Sequence, residues 1–255
     1  MVLLDNLAFE QARQELDIKG CSSPFYLHDL RVLDGLSKQT LAGEQDRQNW
    51  LSFLRKKREL TGQDRLNRHL DLALFEDLAQ DKNLVESLKK LCRPDLLLWR
   101  SNIFIKEPGA PKIHWHHDKH FEDHRKEYID LNDTRSHFSV LVALDDMTET
   151  NGAFQILPQS HRPLEGLERD LRIKTKKSTG EHFMEELPPE FADKATTIPL
   201  KKGQFVIFHS GLLHRSLEYK SGDPRMSIAL RFVASDVKMP GNDYIGMSRE
   251  QFVKI

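Results

Sequence analysis

Leu96 to Lys106 reads LLLWRSNIFIK, and here the chain changes from helical to strand composition. It contains no glycine or proline and is dense in branched and aromatic side chains, the composition of a pleated, largely buried strand. The same composition returns downstream in PKIHWH (Pro111 to His116), FSVLVAL (Phe138 to Leu144), GAFQI (Gly152 to Ile156), TTIPL (Thr196 to Leu200), GQFVIFH (Gly203 to His209) and MSIALRFV (Met226 to Val233). Between these runs stand EPGAP, DDMTETNG, LPQSH, KKG and KSGDP, whose Gly, Pro, Asn, Asp and Ser are turn formers. Short strands at this spacing predict a sandwich or open barrel built mostly from antiparallel strands.

Upstream of Asp95 the periodicity is helical. Phe9 to Leu16 opens the set, and Trp50, Phe53, Leu54 and Leu60 recur near helical spacing. Leu66, Leu70, Leu74 and Leu78 form an i,i+4 stripe, continued by Leu84, Leu88 and Leu91 until Pro94 ends it. The chain therefore reads as a single domain over 1–255. Residues 1–95 form a helical scaffold portion, 96–233 a catalytic core and 234–255 a C-terminal extension. A charged segment, about 162–194, interrupts the strand rhythm as a lid or insertion.

With 38 basic and 39 acidic side chains, the formal charge of -1 gives no bulk electrostatic pull toward nucleic acid or an anionic membrane. No apolar run approaches the roughly 18 residues of a membrane span, and MVLLDNLAFEQARQELD lacks the basic leader and long apolar core of a signal peptide. Cys21 and Cys92 are the two cysteines, far apart and outside any CxxC pairing, which fits a reducing, cytoplasmic setting. A small molecule is the partner these observations leave open.

The chemistry begins in IHWHHDKH. In extended backbone, residues two apart point the same way, so His116 and Asp118 can offer an imidazole nitrogen and a carboxylate oxygen to one ion. A third ligand from a distant strand would complete the set, and FHSGLLHRS offers His214. Two imidazoles and one carboxylate on one face of iron(II) leave coordination positions open for a bidentate oxo acid and for oxygen. His114, His117, His120 and His209 lie close to these positions, and three protein ligands plus water also describe a zinc hydrolase. A binding protein without catalysis is a further alternative.

WRSNIFIKEPGAPKIHWHHD, NGAFQILPQSH and GQFVIFHSGLLHRSLEYKSGDPRMSIALRF, taken in order, resemble the phytanoyl-CoA dioxygenase family of iron(II) and 2-oxoglutarate oxygenases. The first stretch is also similar to related non-haem halogenases that act on groups tethered to carrier proteins. The resemblance covers roughly residues 96 to 233. It implies a mainly β fold, a double-stranded β-helix (jelly roll, cupin-like) with flanking α-helices. It implies iron(II) on His116, Asp118 and His214, and 2-oxoglutarate with its distal carboxylate on Arg225, with Arg231 as the alternative clamp; a guanidinium is suited to a bidentate carboxylate contact. Asn102 would contact the cosubstrate or substrate, and Phe104, Trp115 and His120 would line the substrate pocket. Ser160 and His161 would fix loop geometry.

Related halogenases replace the metal-binding carboxylate with a small residue, whereas Asp118 is retained, so the resemblance implies hydroxylation of an unactivated C–H bond. The expected substrate is a small biosynthetic metabolite, an amino acid or derivative. The alternative is hydroxylation, desaturation or cyclisation of an acyl or aminoacyl group on an acyl or peptidyl carrier protein. Lys119, His120, Glu122, Asp123 and Arg125 are the charged side chains that would meet such a substrate.

Overall fold

Strand β2 (Leu96–Lys106) lies beside the longest partner it could have, β8 (Arg225–Ala234), and the two run antiparallel over nearly their full length. The computed structural model describes residues 6–38, 67–70, 73–119, 130–171, 183–220, 222–237 and 253–255. Trp50, Phe53, Leu54, Leu60, Leu66, His120, Glu122, Asp123 and Arg125 fall outside them, as do 172–182 of the charged segment and most of the C-terminal extension. β8 also pairs with β3 (His137–Ala143), and β3 with β6 (Gln204–His209). Two-residue strands close the edges, β1 (Phe25–Tyr26) beside β6 and β9 (Val253–Lys254) beside β2. A second sheet of three short strands has the order β5 (Thr196–Ile198), β4 (Phe154–Ile156), β7 (His214–Ser216).

Helices cover one face of the large sheet. α1 (Asn6–Lys19) turns Phe9, Ala12 and Leu16 inward, α2 (Ala73–Ala79) turns Phe75 and Leu78, and α3 (Lys82–Leu91) turns Leu84, Leu88 and Leu91. The Asp81 carboxylate caps α3 by accepting from the N–H groups of Asn83 and Leu84, at 3.0 and 3.1 Å, and it also accepts from those of His28 and Asp29. That one side chain ties the helix start to a segment some fifty residues upstream. The inward helical residues merge with Leu98, Val140, Val142, Ile207, Ile228, Leu230 and Phe232 into one core. Each fully buried aliphatic or aromatic side chain there contributes about 1.5–3 kcal/mol.

The opposite sheet face carries the polar groups, and a β-bulge decides which residues of β2 reach it. Leu96 and Leu98 face the helices, the register slips between Leu98 and Arg100, and beyond the slip Ile103 faces the helices instead. A one-residue shift inverts the faces of a strand. Arg100, Asn102, Phe104 and Lys106 are thereby turned to the side where Ser227 and Arg231 of β8 and Ser139 of β3 point. Over that face lies the small sheet, joined through a second apolar cluster of Leu141, Val206 and Phe208 with Phe154, Ile156 and Leu212.

The expected jelly roll is corrected by this topology, and so is a mainly β class. Helices form a full layer, giving a mixed α and β fold. Both sheets are antiparallel, and neither closes: the six-stranded order ends at β1 and β9, the three-stranded order at β5 and β7. Strand composition fixes which residues pair well in a sheet but says nothing about whether the edges meet.

The charged segment is not wholly solvated. Leu164, Leu167, Leu171, Met184, Leu187 and Phe191 pack with Trp115, Leu157 and Leu213 in a third apolar cluster, and Pro189–Ala192 forms the short helix α4.

Candidate metal centre

His214 opens β7, where its backbone exchanges both hydrogen bonds with His116: His116 N–H to His214 O at 3.0 Å and the reverse at 2.8 Å. The isolated bridge sets the two imidazoles side by side, ring centroids 4.3 Å apart. Asp118 does not continue as strand. The chain turns after His117, and the Asp118 N–H donates to Ser210 O at 2.8 Å, which brings its carboxylate back under the rings. Ligand atoms of His116, Asp118 and His214 all lie within 4.8 Å of one another, and this is the group with metal-binding geometry among the described residues.

The surroundings prepare each donor. Nδ1 of His116 donates to His114 O and Nδ1 of His214 to Leu212 O, both at 2.9 Å. A carbonyl can only accept, so each ring is held in the tautomer whose Nε2 carries the lone pair. Nε2 of His214 points at Asp118, 3.9 Å from Oδ1. Burial, and then the His116 ring, lower the pKa of His214 to about 3, so it is neutral and a donor at neutral pH. Burial by itself would raise the Asp118 carboxyl, but Arg231 and the two imidazoles overcome that and hold it well below the usual carboxylate range.

Asp118 is fixed from both sides. Ser139 Oγ donates to Oδ2 at 2.6 Å, and Arg231 donates to Oδ1 at 2.8 Å. Arg231 also donates to Asn102 Oδ1 at 3.1 Å, which accepts from Arg100 Nε at 3.3 Å. Arg231, considered as the alternative carboxylate clamp, is thus engaged with a carboxylate of the chain itself.

Arg225 has a different setting. It is buried, and its guanidinium donates to Gly152 O at 2.7 Å, Ser227 Oγ at 2.9 Å and, more weakly, Asn151 O at 3.4 Å. Burial lowers its pKa to about 10, which leaves it charged at neutral pH. Among the described residues no carboxylate forms an ion pair with it. A buried cation contacted only by neutral oxygens suits an anionic ligand.

The other expected positions are distributed unevenly. Asn102 and Phe104 lie on the polar face of β2, whereas Trp115, next to His116, points the opposite way into the third apolar cluster with the Arg215 guanidinium 4.6 Å over its ring. Lys119 is buried, donating to the carbonyls of Asp130 and Asp133 at 2.6 Å. Three of the competing histidines are turned elsewhere, the fourth, His120, lying outside the described residues: His114 stacks on Phe183, His117 contacts Arg169 O, and His209 stacks on His161 at 4.7 Å. Ser160 fixes its loop, accepting from Leu213 N–H while donating to Leu157 O. Ser139, which holds Asp118, was not anticipated, and a lone serine inside FSVLVAL was the available signal.

The donor set, two imidazole nitrogens and one carboxylate, fits iron(II) with open positions. The family model described as phytanoyl-CoA dioxygenase matches residues 30–227. The chain belongs to the phytanoyl-CoA dioxygenase family. Iron(II) and 2-oxoglutarate are the cofactors that this donor set and this family go with.

Among family relatives, the ectoine dioxygenase of Streptomyces coelicolor is 25% identical over 169 residues, covering 62% of this chain and 54% of that protein. A probable alpha-ketoglutarate-dependent hypophosphite dioxygenase of Stutzerimonas stutzeri is 30% identical over 97 residues, 38% of this chain and 31% of that one. The matches thus span about half or less of these curated relatives. Among solved structures, CytC3 with iron(II) and alpha-ketoglutarate superposes with a TM-score of 0.64 at 21% identity, covering 95% of this chain and 86% of that one. The epimerase SnoN in complex with Fe3+, alpha ketoglutarate and nogalamycin RO gives 0.65 at 17%, covering 95% and 89%. At these identities the likeness is one of fold. No helix among the described residues is long and apolar enough to cross a membrane.

Proposed function

We propose that this family member hydroxylates an unactivated C–H bond of a small biosynthetic metabolite, an amino acid or derivative, with His116, Asp118 and His214 holding iron(II) and Arg225 holding the distal carboxylate of 2-oxoglutarate. The observation that carries the reading is the convergence of two imidazoles and one carboxylate within 4.8 Å, two of the three side chains buried. When bound, iron(II) and 2-oxoglutarate supply the oxidising power: oxygen is reduced, the oxo acid loses carbon dioxide to become succinate, and one oxygen atom enters the C–H bond.

The chain's own residues bind, orient and exclude water. The carbonyls of His114 and Leu212 keep both imidazoles in the donor tautomer, and Ser139 and Arg231 hold the Asp118 carboxylate in one orientation. Phe104 and Asn102, on the polar face of β2, are the substrate-facing candidates. His116 is the partly exposed member of the cluster, so the substrate approaches from its side. The whole chain acts as one oxygenase domain in this reading, residues 1–95 serving as scaffold, because α1 and α3 share a single core with the strands.

Product analysis by mass spectrometry tests the proposal, using iron(II), oxygen and 2-oxoglutarate with matched panels of free amino acids and the same groups on carrier proteins. The expected result is a gain of one oxygen in a free substrate, matched by one succinate. Oxygen insertion confined to the tethered panel would move the substrate class to carrier-bound groups. A panel that never raises succinate above the substrate-free rate would overturn the assignment to amino acids.

A further inference from the structure

Arg225 does not stand alone on its face of the sheet. Its register partner on β2 is Lys106, so the two side chains leave the sheet together. Both are buried, and among the described residues neither forms an ion pair. Lys106 Nζ donates to Pro111 O at 2.8 Å. Gly152 binds the two groups into one feature. Its carbonyl accepts from Arg225, and its Cα lies so close to the lysine stem that a Cβ there would sit 2.6 Å from Lys106 Cδ. With φ at +85°, the position also favours glycine on backbone grounds. Ser216 Oγ donates to the same carbonyl at 3.3 Å, so β7, which carries His214, forms the third side.

Two buried cations side by side repel each other and lose hydration, and an anion between them offsets both costs. We propose that Lys106 is a second cation for the distal carboxylate of 2-oxoglutarate, forming with Arg225 a two-cation seat that sets the preference for a dicarboxylic oxo acid. The inference rests on the assignment of Arg225 to that carboxylate and adds a residue to it.

Protonation of Lys106 follows from its surroundings. Burial, and then Arg225, lower its pKa to about 8. Asp145 and Tyr219 are the titratable groups that act on Arg225 from the adjoining segments. The cationic form binds the carboxylate, so affinity for 2-oxoglutarate is full below about pH 8 and declines above it. Arg225 stays charged across that window.

The test is calorimetric titration of the iron(II)-loaded protein, without oxygen, with 2-oxoglutarate and in parallel with 2-oxopentanoate, which lacks the distal carboxylate. Losing one charge-assisted contact weakens binding about 10- to 100-fold. Lys106→Met should show that loss for 2-oxoglutarate while leaving 2-oxopentanoate unchanged. Lys106→Arg should keep the preference and remove its decline between pH 7 and 9, and the unmodified protein supplies the same pH test without any substitution. Equal weakening of both ligands, or no change, in Lys106→Met while Arg225→Ala loses the preference would overturn the role of Lys106 and leave Arg225 in place. Retention of the preference in both variants would overturn the clamp as a whole, and this inference with it.

Discussion

Replacing Arg231 with methionine probes how Asp118 is held. Arg231 and Asp118 are 3% and 2% exposed and meet at 2.8 Å, so solvent screening does not discount the pair. Methionine keeps the unbranched apolar stem without the guanidinium and leaves the carboxylate facing Ser139 and the two imidazoles. Removing one partner of a buried pair costs about 3–5 kcal/mol, and Asn102 loses one of its two donors as well. The carboxylate holds its depressed pKa largely through Arg231, so the stabilisation it provides is present above the unfolded value of about 3.9 and is lost as pH falls below it. At pH 7 the full penalty should appear in urea unfolding of the metal-free protein. A divalent cation restores positive charge beside Asp118, so saturating manganese(II) should stabilise Arg231→Met more than the unmodified protein. A loss under about 1 kcal/mol, typical of an exposed pair, or equal stabilisation by metal in both proteins, would show that Arg231 does not hold Asp118.

Asp118→Ala should abolish turnover and weaken iron binding, as measured by succinate release and metal content; normal iron loading with preserved turnover would remove Asp118 from the ligand set. Arg225→Ala should raise the 2-oxoglutarate concentration needed for half-maximal turnover by about 10- to 100-fold, and an unchanged requirement would send the search elsewhere on the polar face. Gly152→Ala should weaken 2-oxoglutarate binding and lower stability by at least about 1 kcal/mol, since its Cβ would strike Lys106 and its φ is positive; a thermal melt and the titration above check both effects. Burial lowers His137, His209 and His214 to about 4, 3 and 3, below the unfolded value of about 6.5. The unfolded chain then binds more protons between those values, so stability of the metal-free protein is full above pH 6.5 and falls as pH drops through that window. Each histidine steepens the fall by about 1.4 kcal/mol per pH unit, and His209→Gln should flatten it in pH-dependent urea unfolding.

Local composition made much of the fold legible. FSVLVAL, GQFVIFH and MSIALRFV became β3, β6 and β8, and the Leu84, Leu88, Leu91 stripe became the inward face of α3. That the two sheets stay open, against the expected jelly roll, was not legible, because edge meeting depends on sheet curvature and connections rather than on strand composition. The bulge between Leu98 and Arg100 was equally hidden, although it decides that Asn102 and Lys106 face the site. At the site, residue type and spacing nominated His116, Asp118 and His214 beside competing histidines and the family resemblance chose among them, but Asp118 reaches the two imidazoles by a turn rather than along a strand. The roles of Arg225 and Arg231 separate only in three dimensions: two arginines in MSIALRFV and its preceding residue share a face, and only one has Asp118 within reach. Trp115 illustrates the limit of adjacency, since the residue beside a ligand in extended backbone faces away from it.

Simultaneous measurement of oxygen uptake and succinate release with iron(II) and 2-oxoglutarate, comparing the unmodified protein with Asp118→Ala and with protein reconstituted with zinc, tests the iron-dependent oxygenase reading. The unmodified iron protein should consume one oxygen per succinate formed, and both alternatives should be silent. Succinate release that persists in Asp118→Ala, or an iron protein that binds metal yet never consumes 2-oxoglutarate, would contradict that reading.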